Sequence, residues 1–81
     1  MEVKMKMPDL STTEGTEIAI RKWIVNVGEH VERGQVILEV ETDKAMQEIE
    51  AVATGTLTAQ FVHPEDTVPV GHLIATIEVR K

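Results

Sequence analysis

Among the side chains of this sequence that can do chemistry, Lys44 stands out by its setting. It lies in Glu41-Thr42-Asp43-Lys44-Ala45. Gln35-Val36-Ile37-Leu38-Glu39-Val40-Glu41 runs up to this cluster, and Met46-Gln47-Glu48-Ile49-Glu50-Ala51-Val52 runs away from it. Both flanks are apolar and alternating, which is the pattern of strands, so the cluster between them predicts a tight turn. A lysine at such a tip is projected into water. A general-base or Schiff-base lysine needs burial or a neighbouring cation to give up its proton, and the local sequence supplies neither. An amine held out in this way suits another chemistry: acylation by an enzyme that recognises its fixed surroundings.

The other reactive side chains make no constellation. His30, His63 and His72 fall in separate turns, without the spacing of a metal-ligand pair, and read as solvated turn residues. No Ser-His-Asp set surrounds Lys44, and the chain has no cysteine, a usage consistent with a reducing compartment. The formal net charge is −6, from 14 acidic and 8 basic residues. That is the opposite of the basic footprint that displaces counterions from nucleic acid, so no nucleic-acid partner is expected. Solubility and basic protein partners fit the sign. No apolar run approaches the roughly 20 residues of a membrane span, and Met1 to Met7 alternates instead of forming a signal-peptide core, so no membrane association is expected.

The elements that must position Lys44 are short strands. Eighty-one residues make one domain, 1–81, with its core over about 5–79. Aromatics are limited to Trp23 and Phe61, so the core must come from Val, Ile, Leu and Ala. Val3 to Met7 alternates, and Pro8 makes it an edge strand. Thr16 to Val25 is β-rich, with Ile18 and Ile20 on one face. Beyond Lys22 the parity changes to Trp23, Val25 and Val27, which a bulge near Lys22 explains. Asn26 to His30 is a turn, and Val31 to Gly34 a bend. After the lysine hairpin, Leu57, Ala59 and Phe61 are expected on one face of a strand. Turns at His63 to Asp66 and Val68 to Gly71 lead into a last strand from Leu73 to Val79. Trp23 and Phe61 are expected to be core or half-buried. A short helix over Glu41 to Glu50 is the competing reading, and the strands that flank it closely argue against it.

The chain also repeats itself. Laying Val31 over Val68, a shift of 37 positions, matches Gly34 with Gly71, Ile37 with Ile74 and Glu41 with Glu78, while Ile24-Val25 falls on Phe61-Val62. Two strand–turn–bend–strand halves predict an all-β sandwich with pseudo-twofold symmetry. The lysine hairpin should leave the first half where the chain end leaves the second.

With this pattern laid out, the sequence resembles lipoyl domains of the biotinyl/lipoyl attachment family. Asp43-Lys44-Ala45 looks like their lipoylation turn, and the resemblance implies a flattened β-barrel or sandwich of two four-stranded sheets with pseudo-twofold symmetry. Met7-Pro8-Asp9-Leu10, Glu14-Gly15-Thr16, Trp23-Ile24-Val25, Gly28-Glu29-His30-Val31, Gly34-Gln35, Glu48-Ile49-Glu50-Ala51, Gly55 and the repeat from Val68 to Glu78 extend the likeness over nearly the whole chain. The resemblance implies (R)-lipoate in amide linkage to Lys44, attached by a lipoate ligase or lipoyl transferase. It implies recognition of the turn through Asp43 and Ala45, with Glu41 and Thr42 beside them. It implies that the loop Ser11, Thr12, Thr13, Glu14, Gly15 helps a thiamine-diphosphate 2-oxo acid decarboxylase identify its carrier.

The arm would be reductively acylated by that decarboxylase and deliver the acyl group to coenzyme A at an acyltransferase catalytic domain. Dihydrolipoamide dehydrogenase would then reoxidise it. The domain itself would be a carrier and not an enzyme, monomeric in isolation and without a catalytic or subunit-binding domain. It looks like the excised N-terminal domain of a dihydrolipoamide acyltransferase, working in a bacterial cytoplasm or a mitochondrial matrix. Met5-Lys6-Met7 resembles the tripeptide around a biotinyl lysine, but Lys6 falls on the first strand and not at the hairpin, so a biotinyl carrier is the alternative. A glycine-cleavage-type lipoyl carrier is another.

Overall fold

The computed structural model describes residues 1–10 and 17–80. Eight strands form: β1 (Glu2–Lys6), β2 (Ile18–Trp23), β3 (His30–Val31), β4 (Val36–Glu41), β5 (Met46–Glu50), β6 (Gly55–Gln60), β7 (Thr67–Val68) and β8 (Leu73–Glu78). They build two four-stranded sheets, ordered β1-β8-β6-β3 and β5-β4-β2-β7, and every pairing is antiparallel. This is the expected all-β sandwich, with β1 at an edge. No helix occurs among the described residues, and β4 and β5 occupy the stretch where a short helix competed. His30, Val31 and Val68, read from sequence as parts of turns, fall in two-residue strands, His30–Val31 and Thr67–Val68, each at a sheet edge.

The core is aliphatic. Ile18, Ile20, Val31, Ile37, Leu38 and Val40 meet Leu57, Val62, Ile74, Ala75 and Ile77, with Met5 and Met7 entering from the β1 side. Each Val, Ile, Leu or Met side chain fully buried here contributes about 1.5–3 kcal/mol. Trp23 packs at the margin of this cluster and donates its indole N–H to the Val62 carbonyl at 2.9 Å.

The two halves follow the predicted repeat in detail. β2 shifts register against β4 between Ile20 and Lys22, and β6 shifts against β8 at the matching place, between Leu57 and Ala59. The bulge read near Lys22 is therefore present, and it has a twin. Inserting one residue moves the following side chains to the other face. In the first half the change puts Val25 inside; in the second it puts Val62 inside and turns Phe61 outward, 48% exposed. The expectation that Leu57, Ala59 and Phe61 share a face, and that Phe61 packs in or near the core, is corrected by this second bulge. Val27, read as continuing the buried parity, is exposed in the turn that follows.

Turns obey the same symmetry. The Glu29 N–H donates to the Asn26 carbonyl, as Asp66 does to His63; Gly28 donates to Leu57, as Glu65 does to Ile20; Gly34 donates to Ala51, as Gly71 does to Met7. Gln60 donates its side-chain amide to the Val25 carbonyl at 2.9 Å, the counterpart of the Trp23 bond.

At one pair the residue type changes where the backbone is left-handed: Gly28 has φ of 96°, and its counterpart Glu65 adopts φ of 77°. Left-handed backbone costs a residue with a Cβ roughly 1–2 kcal/mol, and glycine avoids that term while losing some chain entropy. Glu65→Gly is therefore expected to stabilise the domain by about 0.5–1 kcal/mol, seen as a higher urea midpoint with an unchanged slope; an unchanged or lower midpoint would contradict this.

Candidate functional site

The connection between β4 and β5 places Lys44 at a hairpin tip. Glu41 pairs with Met46 as the last rung of the ladder, and beyond it the Thr42 N–H donates to the Ala45 carbonyl at 2.9 Å. Asp43 and Lys44 form the two-residue loop, and both are exposed, as is Ala45. Neither loop residue has positive φ. The connection is thus not one of the primed turns whose twist matches antiparallel strands, and other bonds must hold it.

Thr42 supplies them. It is 8% exposed, and its hydroxyl accepts the N–H of Lys44 at 3.2 Å and of Ala45 at 3.2 Å while donating to the Ala45 carbonyl at 3.0 Å. Sequence reading placed Thr42 among the residues recognised at the turn. The structure also directs its hydroxyl into the turn, where it replaces missing backbone bonds. The base of the tip is thereby fixed, and the Lys44 side chain extends from it.

Glu41 has a partner that sequence reading missed. Arg21, at the β2 bulge, directs both Nε, at 2.8 Å, and a terminal guanidinium nitrogen to the Glu41 carboxylate. The pair is close to half-exposed on each side, so it contributes only about 0.2–1 kcal/mol. Its larger consequence is local: Glu41 adds less negative charge around Lys44 than the sequence suggested. Glu39 faces Glu48 across β4 and β5, and with Met46 and Gln47 they bound an open hollow of about 440 Å³.

Lys6 belongs to a different setting. It ends edge strand β1, and its neighbours Met5 and Met7 are buried in the core at 2% and 1% exposure. The Met-Lys-Met tripeptide is a piece of strand whose methionines pack inward. His30 lies 3.3 Å from Glu32 and His63 3.8 Å from Asp66, each an exposed local pair. Among the described residues no group of three or more His, Cys, Asp or Glu side chains is placed to hold a metal ion. Ser11, Thr12, Thr13, Glu14 and Gly15, expected to form the partner-recognition loop, lie outside the described residues.

With this geometry in view, the comparisons with known proteins are decisive. The family profile described as "Biotin-requiring enzyme" (Biotin_lipoyl) matches residues 3–77. The chain belongs to the biotin/lipoyl family. Among its relatives is the dihydrolipoyllysine-residue acetyltransferase component of the pyruvate dehydrogenase complex of Rickettsia bellii, 44% identical over 79 residues, covering 95% of this chain and 18% of that protein. Another is the dihydrolipoyllysine-residue succinyltransferase component of the 2-oxoglutarate dehydrogenase complex of Bacillus subtilis, 41% identical over 76 residues, covering 91% of this chain and 18% of that protein. The chain thus spans under a fifth of the length of these two relatives. The solution structure of the lipoyl domain of the 2-oxoglutarate dehydrogenase complex from Azotobacter vinelandii matches with a TM-score of 0.77 and 28% identity, over 95% of this chain and 96% of that one. The sandwich read from the repeat is therefore a lipoyl-domain fold, and Lys44 sits at its central hairpin.

Proposed function

We propose that this domain is a lipoyl carrier, with lipoate joined to the Lys44 amine as an amide. The observation that carries the reading is an exposed lysine at a clamped hairpin tip, in a chain whose fold matches a lipoyl domain over nearly its full length. When bound, the group supplies a dithiolane that accepts electrons and an acyl group together. The protein's own part is presentation. Asp43 and Ala45 flank the amine as exposed recognition features for a lipoate ligase or lipoyl transferase, and the Thr42 bonds keep the base of the arm from wandering. A rigid base with a long flexible side chain lets one carrier visit several active sites.

Those sites, in this reading, are a thiamine-diphosphate 2-oxo acid decarboxylase, an acyltransferase catalytic domain and dihydrolipoamide dehydrogenase. The parent protein is then a dihydrolipoamide acyltransferase, with pyruvate ranked first as the 2-oxo acid. Incubation with lipoate, ATP and a lipoate ligase is expected to raise the intact mass by one lipoyl group, while biotin with ATP and a biotin ligase leaves it unchanged. No gain with lipoate, or a gain with biotin alone, would sink the carrier reading or replace it with the biotinyl one. Reductive acylation of the loaded domain by decarboxylases for pyruvate, 2-oxoglutarate, branched-chain 2-oxo acids and acetoin, compared side by side, then ranks the substrate class.

A further inference from the structure

We propose that Thr42 is the positioning residue of this site: its hydroxyl sets the direction in which the Asp43–Lys44 loop presents the amine. The inference rests on the reading of Lys44 as the lipoyl acceptor. The molecule carries its own control. The pseudo-twofold places Val79 and Met1 where Thr42 and Ala45 stand, and the Val79 N–H donates to the Met1 carbonyl at 2.7 Å, as the Thr42 N–H donates to Ala45 at 2.9 Å. The Met1 ammonium completes that rung on the Val79 carbonyl at 3.0 Å.

Valine and threonine have nearly the same shape, so the strands close equally well with either. What distinguishes the two places is that the first closes a two-residue loop, whereas Met1 and Val79 pair across 78 positions of sequence with no loop between them. The hydroxyl is present only where the loop is.

Among the described residues, every bond of that hydroxyl goes to the loop or to the residue that closes it. Thr42 is almost entirely buried, so its hydroxyl is held in place facing the loop, and removing it takes away the tie between the Lys44 and Ala45 N–H groups and the strand ends. The loop also lacks the positive φ that would let it match the strand twist unaided. Thr42 therefore acts through Lys44, and it need not touch lipoate or the ligase.

The test compares Thr42→Val, which installs the residue found at the symmetric position, with Thr42→Ser, which keeps the hydroxyl. Two readouts are used: the kcat and KM of lipoylation by a lipoate ligase, and amide hydrogen exchange residue by residue. Thr42→Val is expected to lower kcat/KM roughly three- to tenfold, the span set by the loss of one to two ordinary hydrogen bonds, with the loss mainly in kcat. Thr42→Ser is expected to return to within about twofold of wild type. In Thr42→Val the Lys44 and Ala45 amides should exchange faster by a similar factor, while amides within β4 and β5 keep their rates. Wild-type lipoylation of Thr42→Val, or unchanged exchange at Lys44 and Ala45, overturns the proposal. So does acceleration spread evenly through β4 and β5, which would mark a general loosening. If the wild-type domain accepts no lipoate, the acceptor reading fails, and the two amides still decide whether Thr42 holds the loop.

Discussion

Exchanging the two loop residues, Asp43→Lys with Lys44→Asp, is expected to lower lipoylation by about 100-fold while the domain stays folded. Composition and net charge are unchanged, so long-range attraction to a ligase is preserved. What changes is where the amine points. The loop between Thr42 and Ala45 holds only these two residues, and its two corners project their side chains in different directions. The Thr42 hydroxyl accepts the N–H of Lys44 and of Ala45, so the second corner is held against the strand ends. An acceptor displaced by an ångström or more loses the near-attack geometry that makes a bound reaction fast, and such displacements cost on the order of 10² in rate. The check is single-turnover lipoylation of the exchanged variant beside wild type. A rate within about twofold of wild type would mean that the tip is read as a charged, mobile amine and that the turn has no positional role.

Gly55→Ala is expected to cost about 2–4 kcal/mol of stability, the largest effect of any single methyl considered in this fold. Gly55 opens β6 and lies against β8; a Cβ built there falls 2.9 Å from the Glu78 carbonyl carbon, 3.1 Å from Ile77 Cγ2 and closer still to the Glu78 carbonyl oxygen. The obstacle is backbone in a strand that pairs on both sides, with β1 and with β6, so no rotamer change relieves it. Overpacking of this kind ordinarily costs about 1–3 kcal/mol, more when backbone must move. A domain of this size has a total stability of roughly 4–12 kcal/mol. The midpoint of thermal unfolding should fall by about 10 °C or more. A fall of only a degree or two would show that β6 and β8 separate easily at this point, contrary to the Thr56–Glu78 and Leu57–Ile77 pairing beside it.

The position of Lys44 was legible from sequence because its evidence is local: alternation on both sides and a polar pair between. The sandwich was legible because a shift of 37 positions superposes the halves, and the register shifts, turns and interior donors follow that shift. The failures have physical reasons. In the first half the bulge announces itself, since Ile18 and Ile20 give way to Trp23 and Val25 on the other parity. In the second half Leu57, Ala59 and Phe61 imitate an unbroken face, because alanine is small enough for either side of a sheet. The repeat itself held the correction: Phe61 falls on Ile24, and both are exposed. Two-residue strands such as His30–Val31 are too short to show any period. The Arg21–Glu41 pair joins residues brought together by the β2–β4 register and its bulge, which no local pattern encodes. Thr42 was singled out by its place beside the lysine, but the use of its hydroxyl depends on the turn's dihedral angles.

The central claim is that one lysine of this chain, Lys44, is the lipoyl acceptor, and intact-mass spectrometry of wild type beside Lys44→Arg tests it most directly. Both proteins are incubated with lipoate, ATP and a lipoate ligase under the same conditions, and arginine keeps the charge at the tip while removing the acylatable amine. The account predicts a gain of one lipoyl group in wild type and none in Lys44→Arg, with Lys6 and the other lysines unmodified in both. A lipoyl group on Lys44→Arg, or its absence from wild type, would contradict it.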